Sequence, residues 1–108
     1  MAFSKAKLFD PISYQQSFWS KALSHPARIR ILNYLMINGE SSFADLKKII
    51  PLAATTISQH LRCLREARLI EVREEFPHTY YKLNKKNCTH LASRIKNLHI
   101  EYSNLTSK

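Results

Sequence analysis

The sequence predicts a mainly α domain with one small β-hairpin, arranged as a winged helix-turn-helix. Three observations carry that expectation. Apolar residues recur at helical spacing along most of the chain, a capping signal and a proline set off a short helix before a longer amphipathic one, and two β-rich runs follow that longer helix. At 108 residues the chain has room for about one core. Residues 12–105 are therefore expected to form a single domain behind a loose tail at 1–11.

The elements follow in chain order. Ile12, Gln16, Trp19 and Leu23 recur at i, i+4, i+7 and i+11, the apolar stripe of an amphipathic helix. Ser24-His25-Pro26 interrupts it, and the proline suits the first turn of a second helix. That helix is expected to bury a broad face of Ile29, Leu32 and Met36, flanked by Ile31 and Leu35, and to end at Asn38-Gly39. Ser42-Phe43-Ala44-Asp45 is a capping-box variant opening a short helix, with Leu46 and Ile49 inward and Pro51 as its limit. A helix from about Ala53 to Ala67 then places Ile57, Leu61 and Leu64 on one face, completing a helix-turn-helix. Leu69–Arg73 and Thr79–Leu83 are rich in β-formers and read as a hairpin, with His78 near its tip. Asn84 caps a last helix whose stripe of Leu91, Ile95, Leu98, Tyr102 and Leu105 requires a partner surface.

Composition narrows the function classes. Hydrophobic residues make up 44% of the chain and charged residues 23%, the balance of a globular chain rather than a disordered one. No run approaches the roughly 18 apolar residues of a membrane span, and the first residues lack the apolar stretch of a signal peptide, so a cytoplasmic protein without a membrane partner is expected. Cys63 and Cys88 lie too far apart in sequence for a paired-cysteine zinc motif. Catalysis and a cofactor are not expected, because the chain has neither a glycine-rich phosphate loop nor a nucleophile with an evident base. Lys and Arg outnumber Asp and Glu 17 to 8, and the resulting +9 attracts phosphate backbones.

With Ile57, Leu61 and Leu64 inward, a helical wheel sends Thr55, Ser58, Gln59, Arg62 and Glu66 outward. Such residues at the start of a helix suit a major groove, where Gln pairs with an adenine edge and Arg with a guanine edge. Lys47 and Lys48 on the preceding helix, with Arg73, His78 and Lys82 on the hairpin, are placed to straddle that groove on phosphates. His60 falls at the edge of the core-facing stripe, either as a further phosphate contact or as a boundary histidine satisfied internally.

Two segments resemble a known family. Lys21-Ala22-Leu23-Ser24-His25-Pro26-Ala27-Arg28-Ile29-Arg30-Ile31-Leu32 is similar to the entry segment of ArsR/SmtB-type repressors. Thr55-Thr56-Ile57-Ser58-Gln59-His60-Leu61-Arg62-Cys63-Leu64-Arg65-Glu66-Ala67 resembles that family's recognition helix, and Tyr80-Tyr81-Lys82-Leu83-Asn84 its wing. The resemblance runs without a gap over about residues 18 to 102. It implies a homodimer built from the first and last helices, here through Ile12, Trp19, Leu91, Ile95, Leu98 and Tyr102. It also implies double-stranded DNA as partner, in the form of a palindromic operator, with repression relieved by an inducer that the residues do not identify. Thr55, Thr56, Ser58, Gln59 and Arg62 are then expected to read bases, in half-sites about one helical turn apart.

The departures from the family pattern are informative. Pro51 and Arg68 stand where the family often has glycine, and Ala53 where it often has a Ser cap. If Arg68 keeps the positive φ of a glycine position, it is strained. The family's Cys-x-Cys metal site aligns with Ser42 and Ala44, and its last-helix site with Lys85, Asn87, Leu98 and Glu101, so no metal is assigned. Cys88 and His99 share a face of the last helix and would meet across an antiparallel dimer, but a Cys and a His on an apolar stripe are read as packing residues. A disulfide between Cys63 and Cys88 is the less favoured use of the cysteines. Two other readings stay open: a winged helix that docks proteins, and a DNA-binding protein that senses nothing.

Overall fold

The computed structural model describes residues 8–106, and residues 1–7 of the expected tail lie outside them. Among the described residues the elements follow as α1 Pro11–Ala22, α2 Pro26–Asn38, β1 Ser41–Ser42, α3 Phe43–Ile49, α4 Ala54–Glu66, β2 Ile70–Glu75, β3 His78–Leu83 and α5 Lys85–Thr106. The strands form one antiparallel sheet in the order β1-β3-β2. β2 and β3 pair from Ile70↔Leu83 out to Glu75↔His78. The hairpin is thus longer than expected, and its tip is Phe76-Pro77, with His78 already inside a strand. The two-residue β1 was not expected; it exists by pairing Ser41 with Tyr81 and Ser42 with Tyr80.

Local signals account for the helix ends. Asp10 Oδ2 accepts from Ser13 N at 2.9 Å, so α1 begins at Pro11 and takes in the last residue assigned to the tail. His25 does the same for α2 through Nδ1, accepting from Ala27 N at 3.0 Å. Gly39, at φ 75°, ends α2 in a conformation that an L side chain avoids. The capping box of α3 is complete: Ser42 Oγ accepts from Asp45 N, and Asp45 Oδ2 accepts from Ser42 N, each at 3.1 Å. Ala53 caps α4 with no side-chain bond.

The end of α4 is a Schellman motif. Leu69 N donates to Leu64 O at 3.1 Å and Arg68 N to Arg65 O at 2.9 Å, which puts Arg68 at the left-handed position with φ 60°. Leu64 and Leu69, the apolar pair that accompanies such a motif, are both fully buried.

The core gathers Trp19, Ala22, Ala27, Ile31, Leu35, Leu46, Ile50, Ile57, Leu61 and Leu64 with Leu69 and Ile70 at the root of the hairpin. Two sequence expectations are corrected here. On α2 the buried stripe is Ala27, Ile31 and Leu35, while Ile29 and Met36 face outward, Met36 with 66% of its surface exposed. Trp19, expected at the dimer interface, is only 4% exposed, and its indole Nε1 donates to Ala67 O at 3.2 Å. Most of the ring is therefore spent on packing within its own chain, and only an edge reaches the cleft between α1 and α5.

Candidate nucleic-acid interface

α4 has the polarity that a reading helix requires. Ile57, His60, Leu61 and Leu64 are buried, and Thr55, Ser58, Gln59 and Arg62 are exposed on the opposite side, with Thr56 half-buried between the faces. α3, held by its capping box, brings Lys47 and Lys48 out to solvent in its last turn. Beside α4 runs a cleft of about 210 Å³ lined by Ser58, Leu61, Arg62 and Arg65 on the helix and by Val72, Glu74, Thr79 and Tyr81 on the hairpin. Arg65 was missed as a site residue, although its spacing of three from Arg62 places both on one helical face. Burial pushes the Tyr81 hydroxyl above its ordinary value, an effect that nearby Arg65 opposes and Glu74 reinforces.

The expected phosphate contacts divide. Lys82 is exposed, with Nζ a loose 3.8 Å from Glu71 Oε2, and His78 is exposed on β3. Arg73 is different. Its Nη2 lies 2.8 Å from Glu40 Oε1, its Nη1 pairs with Glu75 Oε2, and its guanidinium carbon sits 4.5 Å from the centre of the Tyr80 ring. The two carboxylates raise its pKa further above the guanidinium value. Arg73 therefore links the hairpin to the turn before β1, its half-exposed charge shared between two carboxylates.

His60 is also corrected. It is 8% exposed, its Nδ1 accepts from Arg28 Nε at 3.0 Å, and its ring centre lies 4.3 Å from that of His25. Arg28 in turn donates through Nη1 to Lys21 O and reaches Ser24 Oγ at 3.4 Å. Burial first, then the neighbouring His25 and Arg28, hold His60 below the ordinary imidazole value. The histidine is the internally satisfied boundary residue of the two alternatives, and it binds α4 to the start of α2.

Away from α4, the expected dimer residues Ile12, Ile95, Leu98 and Tyr102 are exposed and Leu91 is half-buried. Arg94 Nη2 donates to Gln16 Oε1 at 3.1 Å and ties α5 to α1. Asn84 caps the first turn of α5 through Asn87 N at 3.0 Å, and Asn87 Nδ2 donates to Arg68 O at 2.8 Å. Both cysteines are free and half-buried; the Cys88 thiol donates to Leu69 O at 3.4 Å, and burial pushes its pKa up. Among the described residues no three His, Cys, Asp or Glu side chains gather as metal ligands, and no helix is long and apolar enough to cross a membrane.

Comparison with known proteins agrees with this geometry. Residues 25–72 match the arsR family of bacterial regulatory proteins. The chain is 32% identical over 75 residues to the biofilm growth-associated repressor of Xylella fastidiosa, a stretch that covers 69% of this chain and 65% of that protein. It is 30% identical over 79 residues to the HTH-type transcriptional regulator YgaV of Escherichia coli K12, covering 73% of this chain and 80% of that one. Among solved structures, HlyU from Vibrio cholerae N16961 matches with a TM-score of 0.67 at 29% identity, covering 88% of this chain and 99% of that one. The match to the Xylella protein spans just under two thirds of that protein's length.

Proposed function

The chain belongs to the arsR family of bacterial regulatory proteins, and on that premise we propose that it is a sequence-specific DNA-binding regulator of transcription, acting in the cytoplasm as a homodimeric repressor that an inducer releases. The observation that carries this reading is the exposed polar ridge of α4, Thr55, Ser58, Gln59 and Arg62, rising from a helix whose other face is locked into the core. Half-buried Thr56 lies at the edge of that ridge and joins it as a base reader. A ridge of this composition forms hydrogen bonds with base edges, whereas an interface core for a protein partner favours large aromatic anchors. Lys47, Lys48, Lys82 and His78 hold phosphates on either side and set the register.

The exposed apolar stripe of α5, with Ile12 of α1, is the surface through which two copies pair. Twofold pairing presents two α4 helices to a palindromic operator with half-sites about one turn apart. The chain's own residues at the family's metal positions supply little toward a site: Ser42 is engaged in the cap of α3, Asn87 holds Arg68 O, and Ala44, Lys85 and Leu98 carry no metal-binding group suited to zinc. No metal is therefore assigned as inducer.

The test is the affinity of the purified protein for DNA upstream of its own coding sequence against random duplex, across a salt series. Specific binding is expected to exceed random binding by about 10³ or more. Arg62→Ala should weaken the specific complex by about 1–3 kcal/mol and leave random binding nearly unchanged. Equal and steeply salt-dependent binding to both duplexes would reduce the contact to charge alone. Absence of binding near physiological salt would favour a protein-docking winged helix.

A further inference from the structure

The hairpin ends in an aromatic ring with no protein contact to justify it. Phe76 is 99% exposed, at the outer end of a ladder that closes at Glu75↔His78. Exposure of one apolar residue is ordinary; its surroundings make this one informative. Along β2 and β3 the charges are Glu71, Glu74 and Glu75 against Arg73 and Lys82. Arg73 is taken up by Glu40 and Glu75, and Lys82 faces Glu71. In a chain of net charge +9, the hairpin carries three carboxylates against two cations, so charge alone holds it only weakly to a phosphate backbone.

The hairpin nevertheless stands beside the reading helix. Val72 and Glu74 line the cleft against Ser58, Arg62 and Arg65 of α4. Phe76 follows Glu75 in the two-residue turn, at the outer end of the hairpin whose inner part lines that cleft. Pro77 follows it and completes an apolar tip. Apolar side chains can enter the minor groove of duplex DNA, against sugars and between base steps, where no positive charge is required.

We propose that Phe76 is the DNA-contacting wedge of this hairpin, its ring entering the minor groove next to the half-site that α4 reads. This rests on the DNA-binding reading above and adds to it a mode of contact: beside the phosphate contacts of Lys82 and His78, the wing contributes apolar insertion at its tip. A minor-groove wedge also favours sites whose flanking steps unstack readily, so sequence preference extends beyond the bases that α4 touches.

The test uses the full chain, a duplex of DNA upstream of its own coding sequence, and the variants Phe76→Ala, Phe76→Leu and Phe76→Trp. Phe76→Ala is expected to weaken binding roughly tenfold, in line with the loss of one aromatic–base contact. The slope of log affinity against log salt should stay that of the wild type, because no phosphate contact is lost. Phe76→Leu should recover most of the affinity. All three variants should melt with the wild type, since the ring supports nothing in the fold. In Phe76→Trp, indole emission should change on DNA addition beyond the change given by the wild type, which carries only Trp19. Netropsin, which fills A·T-rich minor grooves, should reverse that extra change. Equal affinity of Phe76→Ala and wild type, or an emission change indifferent to netropsin, overturns the wedge while leaving DNA binding intact. A wild type that binds no DNA overturns both readings together.

Discussion

Replacing Arg68 by glycine should make the protein more stable, although it removes an entire side chain. Arg68 holds φ 60° because the Schellman motif at the end of α4 demands a left-handed residue there. Forcing an L residue into that region costs about 1–2 kcal/mol through the clash of Cβ with the following carbonyl. Glycine escapes the clash but gives the unfolded chain more freedom, a loss of about 0.5–1 kcal/mol. The difference leaves Arg68→Gly more stable by roughly 0.5–1 kcal/mol, or a few degrees in melting temperature for a domain of this size. The bonds at this residue survive the substitution, because both belong to the backbone: N donating to Arg65 O and O accepting from Asn87 Nδ2. The control is Arg68→Ala, which loses the same charge and keeps the Cβ. Urea unfolding at one fixed protein concentration, where self-association is held constant, should rank glycine above arginine and alanine no higher than arginine. If alanine stabilises as much as glycine, charge rather than backbone geometry governs the site and the argument fails.

Three further outcomes are expected of the same fold. Ala53 already has the extended backbone of a helix cap, at φ −66° and ψ 153°, but lacks an acceptor; Ala53→Ser should stabilise α4 by about 0.5–1 kcal/mol, and an unchanged urea midpoint would count against it. His60 binds a proton less readily folded than unfolded, where its value is about 6.5, so its contribution to stability is complete above about pH 6.5 and is lost as the pH falls through the lowered folded value. His60→Asn, which keeps an acceptor for Arg28, should flatten that acid-side decline in urea midpoints; a decline as steep as in the wild type would assign it to other groups. Leu98→Asp should convert the proposed dimer to a monomer in sedimentation without unfolding it, since Leu98 is 39% exposed in the single chain; a dimer that persists would move the interface elsewhere.

Strong local signals were legible in the sequence. The capping box of Ser42 and Asp45, the glycine stop at Gly39, the Asn84 cap and the inward triad of α4 are all set by short-range chemistry and stand as expected. The errors arose where the choice depended on what lies opposite. α2 carries apolar residues almost all round, so periodicity could not choose between Ile29 with Met36 and Ile31 with Leu35; packing against α4 chose. Trp19 sits on an apolar stripe, and a stripe alone does not distinguish a partner within the chain from one outside it. Arg73 looked free because its partners, Glu40 and the ring of Tyr80, come from other segments. β1 is two residues long, too short for any alternation to register. Within the candidate site, the exposed ridge of α4 was legible from the wheel, whereas the commitment of His60 to Arg28 needed the fold.

The bond from the Trp19 indole to the carbonyl of Ala67 joins two parts with different duties. One end belongs to α1, in the layer proposed to pair two copies; the other is the last carbonyl at the foot of α4. Such a joint works as a hinge pin: a shift of the pairing layer cannot leave the reading helix where it was without straining or breaking this contact. The chain holds a single tryptophan, and it is placed at that pin. Its fluorescence is therefore a built-in gauge of how the two parts engage, available in unlabelled protein, and a compound that loosens the grip on DNA through the pairing layer would register on that gauge before any DNA is added.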